Sequence, residues 1–333
     1  MTALSPAPPP TAAPSHTGIL AHGLARSFGS VHAVRDISLV APARCVTALV
    51  GPNGSGKTTL MLILATLLRP DRGSVSVAGV DAVRSPHEAR RLIGWMPDTL
   101  GMWEALTCHD VLTSLARLYG MGAAEAGRRA DEQLEWVGLT EFARRPARVL
   151  SRGQQQRLSL ARATVHRPSV LLLDEPANGL DPSSRLRLRD DVRAMADAGT
   201  AVLISSHVLA ELEEMADRAV FVGEGASVAV QDLSAGSGED AVRLYRVAGP
   251  DPSGRAELLA ALTDRGLTVD ATEDPHRPGV LVRVAGEQAA ADLLADLVRA
   301  GVPVSRFAPE GSRLEDTYRE LDLGTAPRIG GHA

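Results

Sequence analysis

Residues 51–60 read GPNGSGKTTL, and Lys57 within them is the only lysine of the 333 residues, every other basic side chain being an arginine. Gly51, Gly56, Lys57 and Thr58 stand at the spacing GxxxxGK[ST], whose chemistry is the cradling of phosphates. Glycines at 51, 54 and 56 remove Cβ atoms and tolerate positive φ, so that backbone N–H groups can converge on phosphate oxygens. The helix that begins there adds the positive end of its dipole. The candidate nucleotide-binding stretch is therefore Gly51, Pro52, Asn53, Gly54, Ser55, Gly56, Lys57, Thr58 and Thr59. Lys57 reaches for the β and γ phosphates and the Thr58 hydroxyl for Mg²⁺. A compact ammonium on a thin stem enters such a nest where a wide, planar guanidinium does not, which accounts for a lysine at this one position.

A second source of chemistry is VLLLDEP at 170–176, an apolar run that ends in two carboxylates. Asp174 is placed to hold the water shell of Mg²⁺, and Glu175, pointing elsewhere, can polarise an attacking water. Ser151 is followed three residues later by Gln154, a capping box that starts a helix with Gly153 in its exposed first turn. Such an end either binds an anion or is simply a capped surface helix. Asp181, directly before Pro182, is an N-cap by the same logic. His207 follows the apolar run AVLIS at the edge where ligands bind in open α/β sheets.

Read together, VLSRGQQQRLSLARA, VLLLDEP, ANGLDP and LISSHVL stand in this order behind the glycine loop. In that order they resemble the signature, the acidic strand, the D-loop and the switch histidine of ABC ATPases. The resemblance covers roughly residues 18–230. It implies that two subunits, as a homodimer or with a similar ATPase, sandwich two ATP molecules with Mg²⁺, each site completed by Ser151, Gly153 and Gln154 of the other subunit. It further implies that His207 contacts the γ-phosphate, that Asp181 lies at the dimer seam and that Phe28 stacks on adenine, a core position for Phe28 being the alternative. Two positions depart from the family pattern. Arg152 replaces the usual glycine of the signature, and Asp98 replaces the glutamine that follows the proline in IGWMPD, where a carboxylate can still ligate a hard cation. These features are similar to the drug and antibiotic exporter branch, whose integral membrane permease is a separate polypeptide. The chain is then expected on the cytoplasmic face of the membrane.

The elements needed to position these residues are legible in outline. CVTALV at 45–50 reads as the strand feeding the glycine loop, with helix from Thr58 to Leu68 behind it. Helical segments dominate about 104–167. Then SVLLLDEP, AVLISS and AVFVG alternate with helices at about 182–197 and in VLAELEEMA, which predicts a parallel sheet with covered faces. The expected fold class is α/β: an ATPase core at 18–232 with a helical insertion at about 96–167. After a linker at LSAGSGED, residues 233–323 show the order β-α-β-β-α-β, from AVRLYRV to VPVSRFA, which predicts a ferredoxin-like α+β accessory domain. Residues 1–17 and 324–333 read as tails.

Composition excludes several classes. The formal net charge of −5 lacks the basic excess of a protein that grips nucleic acid through its phosphates. No nucleic acid partner is expected, and a soluble ATPase acting on nucleic acid or ribosomes is the second reading. A guanine-specific GTPase needs a lysine outside the glycine loop for its base-reading motif, and there is none. Cys45 and Cys108 are too far apart for a metal knuckle, suit a reducing compartment and are expected to be buried. The longest apolar run, TLMLILATLL, is about half of the roughly 20 residues a membrane-spanning helix needs.

Overall fold

The computed structural model describes residues 18–99, 101, 103, 105–233, 242–251, 255–270 and 278–321. The expected tails at 1–17 and 324–333, and the linker at 234–240, lie outside the described residues. The chain divides into two compact units between Asp232 and Leu233.

The first unit is built on a ten-stranded sheet. Its strands are β1 (Ile19–Phe28), β2 (Val31–Ala41), β3 (Val46–Val50), β4 (Arg72–Val77), β5 (Val80–Asp81), β6 (Ile93–Met96), β7 (Val170–Asp174), β8 (Ala201–Ser205), β9 (Arg218–Gly223) and β10 (Ala226–Asp232). They lie in the order β5-β4-β1-β2-β10-β9-β3-β8-β7-β6. The stretch from β9 to β6 is parallel, with β3 between β9 and β8 and β7 between β8 and β6. Strands β3, β7 and β8 are buried at every residue, as a sheet covered on both faces demands of its central strands. The other half departs from the expected parallel sheet. There β1 pairs antiparallel with β2 and β4, and β10 with β9. Strand β2 starts only two residues after β1 ends, and so short a turn can join only antiparallel strands.

The helices of this unit are α1 (Lys57–Leu64), α2 (Pro86–Leu92), α3 (Cys108–Leu118), α4 (Ala123–Trp136), α5 (Arg152–Thr164), α6 (Pro182–Asp197) and α7 (Leu209–Met215). Helix α1 was expected to run on to Leu68, but it stops at Leu64. Thr66 takes a left-handed φ of 59°, and the amides of Thr66 and Leu67 turn back to the carbonyls of Ile63 and Leu62 at 3.0 and 2.9 Å. This is a Schellman stop with threonine where glycine is usual, so no glycine marks it in the sequence. Helices α3, α4 and α5 pack around Leu112, Leu134, Leu139 and Leu158 to form the insertion. Strand β6, a four-residue piece that the sequence reading did not separate, brings the start of the insertion alongside β7. Cys108 is buried as expected, whereas Cys45 is only partly so. No helix among the described residues is long and apolar enough to cross a membrane.

The second unit runs β11 (Val242–Ala248), α8 (Arg255–Thr263), β12 (Val269–Asp270), β13 (Val280–Ala285), α9 (Gly286–Arg299), β14 (Arg306–Pro309) and α10 (Arg313–Glu320). Its sheet has the order β12-β13-β11-β14, every pair antiparallel. Leu258, Leu262, Leu293 and Leu297 pack with Tyr245, Val247, Val280 and Val282 into a core of its own. Strand β14 begins later than VPVSRFA suggested, and α10, opened by a Ser312–Glu315 capping box, is an addition to the expected order.

Because each unit has its own core, a chain ending at residue 232 is expected to remain soluble and to unfold cooperatively in urea. Circular dichroism against denaturant checks this, and loss of soluble protein would place the boundary elsewhere.

Candidate active site

Strand β3 ends at Val50 and hands the chain to the glycine loop. A Cβ on Gly51 would stand 2.2 Å from the carbonyl oxygen of Val222, and one on Gly56 would stand 2.3 Å from that of Ala33. Gly56 also has a φ of 100° and caps α1 without any side chain. Both positions therefore admit only glycine, and the loop is pressed between the end of β9 and the β1–β2 hairpin. Lys57 bends back across the loop, its ammonium donating to the carbonyls of Gly51 at 2.7 Å and Pro52 at 3.0 Å. An ammonium has three protons, so this leaves one donor for an anion. The Ser55 hydroxyl, buried in the same loop, has no hydrogen-bond partner among the described residues. An orphaned donor in a glycine cradle is what a phosphate oxygen would satisfy. Burial pushes the Lys57 amine below its ordinary range, and the negative charges of Glu175 and Asp174 partly oppose this.

Asp174 is the last residue of β7 and is 5% exposed. The parallel register sets it opposite Ser205, the last residue of β8. The Ser205 hydroxyl donates to Asp174 Oδ1 at 2.6 Å, and Ser205 Oγ in turn accepts from the amide of Glu175 at 3.2 Å. Burial raises the Asp174 carboxyl above the usual range; the Ser205 bond opposes the shift, as does Lys57, while Glu175 and Asp98 add to it. These influences bring Lys57, Asp98, Asp174 and Glu175 into one electrostatic neighbourhood. Asp98 itself is exposed and accepts from Asn178 Nδ2 at 3.2 Å.

Glu175 has a φ of 52°, rare for a residue with a side chain, and it precedes a proline, which narrows its options further. Its amide also donates to the Ser205 carbonyl at 3.1 Å. The turn aims its carboxylate at His207, with Oε2 and Nδ1 2.7 Å apart. At that distance Nδ1 carries a proton and donates, which leaves Nε2 of the exposed ring for a ligand. A carboxylate beside an imidazole can hold and polarise a water.

Ser151, Gly153 and Gln154 open α5, whose first turn approaches the loop 176–181 through Arg152 and Gly153, and Asp181 closes that loop. Ser151 and Gln154 form the expected reciprocal capping box, at 3.3 and 2.9 Å. The Arg152 side chain lies over Gly179, where a Cβ would meet its Nε at 2.7 Å, and Gly153 faces Leu180. Asp181 caps α6 through the Ser184 amide at 3.1 Å, and the hydroxyls of Ser183 and Ser184 hold its carboxyl well below the usual range. Phe28 is 49% exposed, which removes the core alternative, and Arg26 stacks over its ring at 5.0 Å. The hairpin that carries Phe28 is the one that touches Gly56 through Ala33.

Sequence reasoning assigned no role to Ser205 or Gln156. The first lies in LISSHVL, and its meaning depends on strand register. The second is a 3% exposed amide on α5, the kind of buried polar side chain that has to have a partner.

A phosphate-cradling loop facing a buried aspartate and a glutamate–histidine pair defines, by class, a nucleoside triphosphatase site. The sequence matches the ABC transporter family over residues 34–178. Over 303 residues it is 34% identical to the daunorubicin/doxorubicin resistance ATP-binding protein DrrA of Streptomyces peucetius, covering 90% of each chain. It is 32% identical to the linearmycin resistance ATP-binding protein LnrL of Bacillus subtilis, covering 69% of this chain and 75% of that one. A solved ATP-binding subunit of an ABC transporter matches with a TM-score of 0.61 and 28% identity, over 66% of this chain and 91% of that one. The chain belongs to the ABC transporter family, as an ATP-binding and ATP-hydrolysing subunit.

Lys57 is the only ε-amine, so an amine-directed reagent modifies it and the α-amino terminus alone. Its lowered pKa leaves more neutral amine at a given pH than a free lysine has, so it is expected to react at lower pH. Mg-ATP is expected to protect Lys57 and not the terminus, and AMP to protect neither. Mass spectrometry after labelling reads this; equal labelling of Lys57 with and without Mg-ATP would remove it from the phosphate site.

Proposed function

We propose that this subunit powers export of an antibiotic or drug-like small molecule, as a dimer docked on a separate integral membrane permease at the cytoplasmic face. The named resistance functions of the two relatives support the class of cargo, and the permease would select its identity. Within the dimer, the glycine loop, Lys57 and Thr59 hold the phosphates of ATP, and Phe28 stacks on its base. Thr58, Asp174 and Asp98 are the residues that would hold Mg²⁺, which neutralises phosphate charge when bound. Ser151, Gly153 and Gln154 complete the site of the second subunit, and Asp181 lines the seam. Glu175 and His207 orient the attacking water. The observation that carries this reading is the 2.7 Å Glu175–His207 pair, on the strand ends next to a buried Asp174.

The second unit is read as a ferredoxin-like accessory domain. Numbered within the unit, its sheet runs in the order 4-1-3-2 and is antiparallel throughout, as that topology requires. Its role would be to support assembly of the dimer or of the complex with the permease. The reading as a soluble ATPase on nucleic acid or ribosomes has no comparable support, given relatives that act in drug resistance and the net charge of −5.

Glu175→Gln is expected to bind Mg-ATP, to lose hydrolysis by at least a hundredfold and to accumulate as a closed dimer. Gel filtration with and without Mg-ATP, run beside a phosphate-release assay, checks both parts. A variant that hydrolyses ATP at the normal rate would overturn the assignment of Glu175.

A further inference from the structure

Glu175 is presented from a turn that a side-chain-bearing residue resists, and such a turn persists only where its surroundings hold it. On the amide side the hold is Ser205. On the carbonyl side it is Gln156. This side chain projects from the second turn of α5, is 3% exposed, and donates Nε2–H to the carbonyl of Pro176 at 2.8 Å, with a longer contact to the carbonyl of Glu175 at 3.4 Å. Two carbonyls converging on one terminal group require an N–H donor there, so the amide orientation follows from the chemistry. Asn178 also turns its amide back to the Glu175 carbonyl at 3.1 Å. Pro176 has no N–H of its own and fixes its φ, so the turn has few other ways to be secured.

Helix α5 opens at Ser151, five residues before Gln156, and its first turn lies on the same loop through Arg152 on Gly179 and Gly153 against Leu180. The helix that bears the signature and the turn that bears Glu175 are thus pinned together by a buried amide. We infer that Gln156 is a positioning residue for hydrolysis: through the Pro176 and Glu175 carbonyls it fixes the direction of the Glu175 carboxylate and ties it to the first turn of α5. Movement of the signature end against a second subunit would then reach the water-orienting group of this chain's own site through one hydrogen-bonded side chain. This inference rests on the proposed role of Glu175, and the Glu175→Gln measurement tests that role separately.

The test uses the full chain and two variants. Gln156→Met keeps length and volume and removes the donor. It is expected to lower kcat roughly tenfold or more while KM for ATP stays within about twofold, because the groups that bind ATP are untouched and only the aim of the carboxylate loosens. Gln156→Glu places an acid before two carbonyl oxygens. Desolvation and carbonyl dipoles raise its pKa, and only the protonated form can donate. Its kcat relative to that of the unmodified chain is therefore expected to rise as pH falls from about 8.5 to about 6, a profile that a purely structural defect would not produce. An unchanged kcat in Gln156→Met, or a rise in KM matching the fall in kcat, overturns the inference. Should Gln156→Met be insoluble, the pH profile of Gln156→Glu decides, and a flat ratio overturns it. A normal Gln156→Met beside an inactive Glu175→Gln would remove the inference and leave the proposed function standing.

Discussion

The Ser205 hydroxyl sits between two groups that have little access to water, donating to the Asp174 carboxylate at 2.6 Å and accepting from the Glu175 amide at 3.2 Å. Ser205 is wholly buried, and Asp174 nearly so. Leaving the buried Asp174 carboxylate without this donor would cost on the order of 1–3 kcal/mol, a sizeable fraction of the stability of a domain, whereas the Glu175 amide keeps the Ser205 carbonyl as a second acceptor. The bond exists because the parallel register of β7 and β8 ends both strands at the same level. It sets the position of the carboxylate that faces the glycine loop and, one peptide later, the start of the strained turn at Glu175. Register of the sheet thus becomes the position of the reactive groups.

Charge balance at this edge is uneven. Asp98 and Glu175 both bear on Asp174, and Lys57 is the cation beside it, itself occupied by two loop carbonyls. Burial penalises the ionised form of both Asp174 and Lys57, so each is held away from its ordinary range. A ligand that brings several negative phosphates would worsen the imbalance unless a cation accompanies it, which is the physical reason to expect a nucleotide paired with a divalent metal.

Much of this was legible before any coordinates, because the features concerned are local. The glycine spacing, the capping box at Ser151 and the N-cap at Asp181 need only a few neighbouring residues to be recognised, and the structure has all three. The continuous apolar runs of β3, β7 and β8 declared buried strands in the same way. What escaped depends on residues far apart in the chain. Ser205 acts on residues 30 and 31 positions earlier, and Gln156 on carbonyls 19 and 20 positions later. The antiparallel pairing of β1 with β2 is a different case. The parallel expectation came from the alternating strands and helices of the later part of the unit, whereas the two-residue turn after Phe28 is local and dictates the opposite pairing there. The early stop of α1 at Leu64 was hidden by a threonine doing what glycine usually does.

The loop 176–181 joins Glu175 to α6, and its ends explain why the parts are arranged as they are. At one end Glu175 is held in a left-handed turn; at the other Asp181 is fixed as an N-cap by three donors from Ser183 and Ser184. Between them Gly179 lies under Arg152, Leu180 against Gly153, and the Pro176 carbonyl accepts from Gln156, so three residues of α5 meet the loop. An exposed Ser151 at the head of the same helix is bonded within its own first turn, to Gln154 and Gln155, and the Lys57 ammonium to the carbonyls of Gly51 and Pro52. Capped by its own Ser151–Gln154 box and set against Leu180, the turn is the part that the proposed function assigns to the site of a second subunit. In the inferred coupling, a displacement imposed at the exposed end of α5 reaches Glu175 through the Gln156 amide and the carbonyls of Pro176 and Glu175.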